Sequence, residues 1–367
     1  MKSRNLAAVA TLSLLCILSS GAGMANAATS SSAQKSTAAK KLKFAMYLGP
    51  QAAESKTNNE WGKLVAKATG GRITVQQFTS GALMPIGEVL SGVAQKRADI
   101  GATGPSYNPA ELPLSTIVSI PFLAPNAEAQ SLAFQELYQT NKAFRSEWER
   151  NGVHVLFFYP QPPSILGTET PVKTLGDLKG KRIRALGYAA QAIAAIGATP
   201  VSIAGPDTFD AMQHHVIDGY ISIPFEGLRS YGLDRVTKYI TNPGVGGYFM
   251  FAAIMNLEEW NALSKTDQEA IAHVSQRVQQ EIAPRNLAET GEAVCKIVKN
   301  KGTVITALPA DQVDKWKKKV ESQFKADWLS TQKDKEQADQ FYQAYVATVK
   351  KITANNHYVA SVDKCMK

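Results

Sequence analysis

Two arginines, Arg182 and Arg184, lie two residues apart in the stretch DLKGKRIRALGY at 177–188. The stretch reads as a helical turn capped by Asp177, a Lys179-Gly180-Lys181 turn, then a short strand, and strand periodicity puts both arginines on one face. One of them can therefore point into a cleft. A guanidinium at a buried strand end is costly unless a carboxylate or phosphate meets its planar fork, and no acidic residue occurs between Arg184 and Asp207. The chemistry implied is anion binding. A solvated basic turn with both arginines at the surface is the alternative.

Other candidate ligand contacts are polar or aromatic residues at proposed strand ends and crossings, where open α/β sheets bind ligands: Tyr47, Tyr107, Tyr159, Gln161, Tyr188, Ser222, Phe225 and Phe249. Each aromatic taken alone suits a core as well as a site. Arg182 is expected to be solvated or paired outside the cleft.

Covalent and metal chemistry find no such support. There is no GxSxG, HExxH, GxxxxGK or GxGxxG, and Gly244, Gly246 and Gly247 are spaced wrongly for a dinucleotide loop. His154, His214, His215, His273 and His357 lack ligand spacing with a carboxylate or thiolate. No catalytic residue, metal site or cofactor is assigned. The net charge of +9 is spread thinly, with no basic run interleaved with aromatics, so nucleic acid is not an expected partner.

Residues 1–27 read as an export signal, with Lys2 and Arg4 before an apolar run and Ala25-Asn26-Ala27 as the cleavage site. The run is short for a membrane span, and Cys16 lacks a small residue before it, which argues against a lipid anchor. Loss of the leader takes the charge from +9 to +7. It leaves Cys295 and Cys365 in an oxidising compartment, where a disulfide tying the C-terminal tail to a helix is expected; two reduced, buried cysteines are the alternative. Residues 28–41 are small and polar and read as a disordered tether.

The folded part starts at Leu42 with the strand LKFAMYL, followed by a helix over 55–68 that turns Trp61, Leu64 and Val65 inward and stops at Gly70-Gly71. RITVQQF, a helix over 86–96 and a strand from Asp99 continue a strand-helix alternation, which argues for a mostly parallel sheet covered by helices. Helices over 128–139 and 142–151 precede the central strand VHVLFFY. The prolines of Tyr159-Pro160-Gln161-Pro162-Pro163 suit neither helix nor strand interior and mark a first hinge crossing. A second lobe, 161–247, holds the Arg184 strand, an alanine-rich helix, TPVSI, a helix from about Pro206 and the strand IDGYISIP. The chain returns through GYFMFAAIM, so that 42–160 with 248–367 form the first lobe and the C-terminal helices. The helical pattern over 265–301, broken only by Pro284, predicts a kinked or doubled helix spanning the lobes. After TVITAL, amphipathic helices are expected over 310–324 and 334–352, with Lys317, Lys318, Lys319 and Lys333 solvated.

These segments together resemble the substrate-binding proteins of tripartite ATP-independent periplasmic (TRAP) transporters. The DLKGxKIR signature is matched by Asp177, Leu178, Lys179, Gly180, Ile183 and Arg184, with Arg182 in the lysine's place. SGALMPIGEVLSGVAQKRADIG from Ser80, IPFL from Ile120, ETPVKTLGDLKG from Glu169 and VIDGY from Val216 follow in the family's order. The resemblance implies an α/β, two-lobed periplasmic solute-binding fold with mixed sheets, and a receptor that delivers a small organic anion to integral-membrane permease subunits. It implies that Arg184 grips the ligand's carboxylate. Two positions depart from the family: Ser164 stands where some members place a second arginine, and Ile221-Ser222-Ile223-Pro224 replaces an asparagine before proline. One cation with apolar neighbours suits a single carboxylate on a compact, largely apolar body. A receptor of an ATP-driven transporter or sensory system, and more remotely a secreted enzyme, are the competing readings.

Overall fold

A computed structural model describes residues 39–247 and 249–367. The expected leader, and the tether as far as residue 38, lie outside the described residues. The first strand opens two residues earlier than expected: Lys40 and Lys41 pair with Ile73 and Thr74, and the Lys40 ammonium meets the Glu259 carboxylate. Backbone pairing and an ion pair thus order lysines whose side chains alone suggest a tether.

The chain runs β1 (Lys40–Ala45), α1 (Ala53–Ala68), β2 (Ile73–Phe78), α2 (Val89–Ala94), β3 (Ile100–Thr103), α3 (Ala127–Thr140), α4 (Lys142–Arg150) and β4 (Val153–Phe158). It crosses to β5 (Ser164–Thr168), β6 (Arg182–Arg184), α5 (Gly187–Ala195), β7 (Thr199–Val201), α6 (Thr208–Gln213), β8 (Gly219–Pro224) and β9 (Tyr239–Asn242). It returns as β10 (Ala252–Asn256), α7 (Leu257–Asn261), α8 (Lys265–Arg277) and α9 (Ala283–Asn300), then β11 (Val304–Ala307), α10 (Ala310–Ser330), α11 (Lys335–Thr353) and α12 (Ser361–Met366).

Two sheets result, ordered β2-β1-β3-β10-β4 and β11-β9-β5-β8-β6-β7. Both are mixed: β10 runs antiparallel to β3 and β4, and β5 antiparallel to β8 and β9. Each sheet is otherwise parallel: β10 alone runs against β1–β4 and β5 alone against β6–β9 and β11. The mostly parallel sheets expected from the strand-helix alternation are thus found, with the one reversed strand of each lying next to a crossing between lobes. β11, expected with the first lobe, pairs in parallel with β9 and belongs to the second sheet. Pro200 is tolerated in β7 because that strand is an edge of its sheet.

Apolar periodicity explains the helices. α1 buries Trp61 and Val65, and the Trp61 indole donates to the Ser275 hydroxyl at 3.0 Å. The long helical pattern resolves into α8, a π-turn at Val278–Ile282, and α9. Pro284, in the first turn of α9, has no N–H to donate and crowds the preceding turn, so the ladder widens where it would otherwise clash. Ile271, Val274, Val278 and Ile282 pack with the first sheet's core; Val294 and Val298 pack with the second's. The helix therefore spans the lobes. α10 does so again, its Trp316 indole donating to the Ala192 carbonyl at 2.7 Å and Trp328 to the Thr116 hydroxyl at 3.0 Å.

The Cys295–Cys365 disulfide is present, with Cα atoms 5.6 Å apart, and pins α12 to α9. Its 70-residue separation gives a chain-entropy stabilisation of roughly 4 kcal/mol as an upper bound. The return crossing is tightly knit: the Gly247 N–H donates to the Ala124 carbonyl at 2.9 Å and the Phe122 N–H to Val245 at 2.8 Å. Gly246 has φ of +74°, and a Cβ there would lie 2.2 Å from the Ala124 carbonyl oxygen.

Two outcomes follow from these ties. Denatured, unreduced protein lacking residues 1–27 should titrate with no thiol, and Cys295→Ser with Cys365→Ser should lower the urea midpoint; two titratable thiols would mean the bridge does not form. Gly246→Ala should cost more than about 2 kcal/mol, because strain and a backbone clash combine. Gly180→Ala, at φ of +75° with open space for its Cβ, should cost only about 1 kcal/mol. Equal urea midpoints for the two variants would remove the close approach to Ala124 as the cause.

Candidate functional site

Parallel strands end on one side of a sheet, and the ends of β1, β3, β6 and β8 line a cavity of about 430 Å³. Arg184, the last residue of β6, is 3% exposed and reaches its wall. Nε donates to the Ile203 carbonyl at 3.1 Å, and Nη1 donates to the carbonyls of Ile221 at 3.3 Å and Ser222 at 3.0 Å. These dipoles compensate part of the desolvation of the charge and hold the fork in one orientation.

The carbonyls are aimed by an irregularity. Between Ile165↔Ile223 and Gly167↔Tyr220 the β5–β8 register slips, so Ile221 and Ser222 stand opposite Leu166 alone. Ser222 takes φ of +69°, rare for a residue with a Cβ, and the Ser164 hydroxyl accepts its N–H at 2.8 Å. The serine in the second arginine's place thus supports the bulge that holds the first. The Ser222 hydroxyl, on the cavity wall, has no hydrogen-bond partner among the described residues.

The first lobe supplies aromatics. Tyr107 packs edge-on to Phe249 at 5.8 Å, Phe249 edge-on to Phe251 at 4.6 Å, and Tyr47 against Phe251 at 5.1 Å. Burial pushes the Tyr107 phenol up while the Arg184 charge pulls it back, which places these two groups within electrostatic reach. Burial also holds the Tyr47 phenol well above its ordinary range.

The structure brings Arg184, Tyr47, Tyr107, Gln161, Tyr188, Ser222 and Phe249 together on this cavity. Tyr188 also leans on Phe324 at 5.4 Å. Two candidates are corrected. Tyr159 points into the first lobe's core, where its hydroxyl donates to Asn58 Oδ1. Phe225 is 1% exposed and packs in the second lobe's core, because the short 3-10 turn after Pro224 rotates it inward and turns its neighbour Glu226 to the cavity. Asp177 caps its turn from within: third residue of the turn Leu175–Leu178 headed by Thr174, it accepts from the N–H groups of Lys173 and Thr174 at 2.9 and 2.8 Å. Arg182 is paired outside the cavity, its fork donating to Asp218 at 3.1 and 2.8 Å.

Sequence reasoning missed two acids and two aromatics: Glu54, Glu226, Phe251 and Tyr231. Glu54 sits in the first turn of α1, an ordinary place for an acid, so nothing in its position singles it out. The Gln161 amide donates to it at 2.9 Å, and burial raises its carboxyl above the usual range. Glu226 is pushed up to about 7, chiefly by burial, with the Ser361 hydroxyl offsetting and the Glu54 charge adding to the shift. Among the described residues no group of three or more metal-ligating side chains is gathered.

The model of bacterial extracellular solute-binding protein family 7 matches residues 44–330. Among solved structures, a TRAP periplasmic solute-binding protein from Bordetella bronchiseptica with bound mandelate is 26% identical, with a TM-score of 0.74 covering 85% of this chain and 99% of that one. One from Desulfovibrio salexigens is 25% identical, also at 0.74, covering 87% and 97%. The ectoine-binding periplasmic protein TeaA of Halomonas elongata is 25% identical over 54% of this chain and 58% of its own. The outer membrane transporter protein TsaT of Comamonas testosteroni is 28% identical over 59% and 64%. The alignments thus span about three fifths of the length of these curated relatives. The family match runs from within β1 to the end of α10 and takes in every segment that lines the cavity: the chain belongs to family 7 of the bacterial extracellular solute-binding proteins and has the two-lobed fold of TRAP-transporter receptors.

Proposed function

We propose that this chain is an extracytoplasmic receptor that binds a small organic acid between its lobes and delivers it to the integral-membrane permease subunits of a TRAP transporter. The observation that carries the reading is Arg184, a buried guanidinium on the cavity wall at the position of the family's signature arginine. A ligand carboxylate can accept from such a fork in a charge-assisted pair. Tyr47, Tyr107, Phe249 and Phe251 offer aromatic surface for the rest of the molecule, and the mandelate held by the Bordetella bronchiseptica protein is a carboxylate on an aromatic body. With Ser164 engaged in backbone support, the wall of β6 and β8 offers one cation to one carboxylate.

Residues from both lobes line the cavity, so ligand contacts are completed when the lobes meet, and closure about the crossings at 159–163 and 243–251 is favoured by occupancy. The ligand is bound and released unchanged. The export signal expected at 1–27 places the receptor in the periplasm.

Arg184→Ala should weaken binding of an organic-acid ligand at least a hundredfold, about 2.7 kcal/mol, as read by calorimetry with mandelate as the first probe. Arg184→Lys should also fail substantially, because an ammonium cannot reproduce the fork. Arg182→Ala, which breaks only a surface pair, should bind nearly as wild type. A folded Arg184→Ala protein, judged by circular dichroism, that binds within a few-fold of wild type would overturn the assignment.

A further inference from the structure

The acidic side of the cavity is built as carefully as the basic side, and the carboxylate reading leaves it unused. Glu226 is 5% exposed and lines the cavity; the Ser361 hydroxyl lies close enough to ease its burial, but neither carboxyl oxygen has a partner in full hydrogen-bond geometry among the described residues. Glu54 lines the same cavity and feels Glu226 electrostatically, while the Gln161 amide occupies one of its oxygens. The charged and titratable groups that bear on Glu226 are Glu54 from α1, Lys364 from α12 and the Tyr358 phenol. Arg184 bears on Tyr107, on the aromatic wall.

A buried carboxyl with few donors is costly, and two within electrostatic reach are more so. Such a group on a cavity wall is satisfied when a ligand brings a donor to it. We propose that Glu226, supported by Glu54, recognises a hydroxyl or amine on the ligand remote from its carboxylate, so that the receptor selects hydroxy- or amino-substituted acids over their unsubstituted parents. This rests on Arg184 holding the carboxylate, which orients the ligand's other end toward the acids.

The sign of the pH dependence follows. The carboxylate is a much stronger acceptor for a ligand donor than the protonated carboxyl, and burial holds Glu226 in its acid form up to about pH 7. The preference for the substituted acid should therefore grow as pH rises through that region.

The test is calorimetry at about pH 6 and about pH 8 with matched sets: benzoate, 3-hydroxybenzoate and 3-aminobenzoate, and hexanoate with its 6-hydroxy and 6-amino derivatives. In at least one set a substituted acid should bind about tenfold to a hundredfold tighter than its parent at the higher pH, the range expected for a charge-assisted hydrogen bond. The advantage should shrink at the lower pH and vanish in Glu226→Gln. Glu54→Gln is the second variant should Glu226→Gln fail to fold: it removes the neighbouring charge that raises Glu226, so it should carry the advantage down to the lower pH. Parents and substituted acids binding equally, a preference that survives Glu226→Gln, or a pH dependence that Glu54→Gln leaves unmoved would overturn this inference while leaving the carboxylate reading standing. Binding of no acid in either set would overturn both.

Discussion

A buried guanidinium has to be solvated by the protein itself, and the second lobe is arranged to do that for Arg184. Three backbone carbonyls face it, one beyond β7 and two from β8. A regular strand would alternate its carbonyls to opposite sides; the slip opposite Leu166 lets consecutive ones serve the same fork. That arrangement requires Ser222 in a left-handed conformation, which the Ser164 hydroxyl fixes from β5. Strand order β5-β8-β6-β7 is thus the order that surrounds one arginine with backbone dipoles.

The first lobe contributes rigidity of a different kind. Its cavity wall is aromatic, and Tyr47, Tyr107, Phe249 and Phe251 pack against one another edge-on, tilted or stacked, which leaves few rotamers to lose on binding. Because the two walls come from different sheets, the site is complete only as a juxtaposition of lobes. The members that join them are helices as well as hinges: α8 and α9 form one bent rod with one end in each core, and α10 carries an indole into each side. At the return crossing the closely approached Gly246 replaces a side chain with a backbone contact.

The electrostatics of the cavity follow from this division. Arg184 stabilises its charge through dipoles of the second lobe, and the acids Glu54 and Glu226 meet where α1 approaches the turn after β8. Low solvent access makes each charge more consequential than it would be at the surface, where the many lysine and arginine pairs contribute little. The C-terminal helix completes the acidic side through Ser361 and Lys364, held there by the bridge from Cys365 to Cys295.

Periodicity and punctuation were enough to locate most elements and the arginine strand. Trp61 and Val65 at helical spacing, Val89, Leu90 and Val93 likewise, the prolines of 160–163 and the break at Pro284 are local signals, and local sterics and burial decide them. The signature residues identified Arg184 over Arg182, a distinction that alternation alone, placing both on one face, could not make. What tertiary structure decided were matters of pairing and rotation. β11 belongs to the second sheet because its partner, β9, lies over sixty residues earlier, and no local pattern encodes a partner. Phe225, expected at the cavity, faces the core and its neighbour Glu226 faces the cavity, since a single residue of rotation in a short turn selects which side chain meets the core. The ranking of acids and aromatics at the cavity therefore came from geometry: a strand end specifies that a residue is near the site, and only the packing of the turn that follows specifies which way it faces.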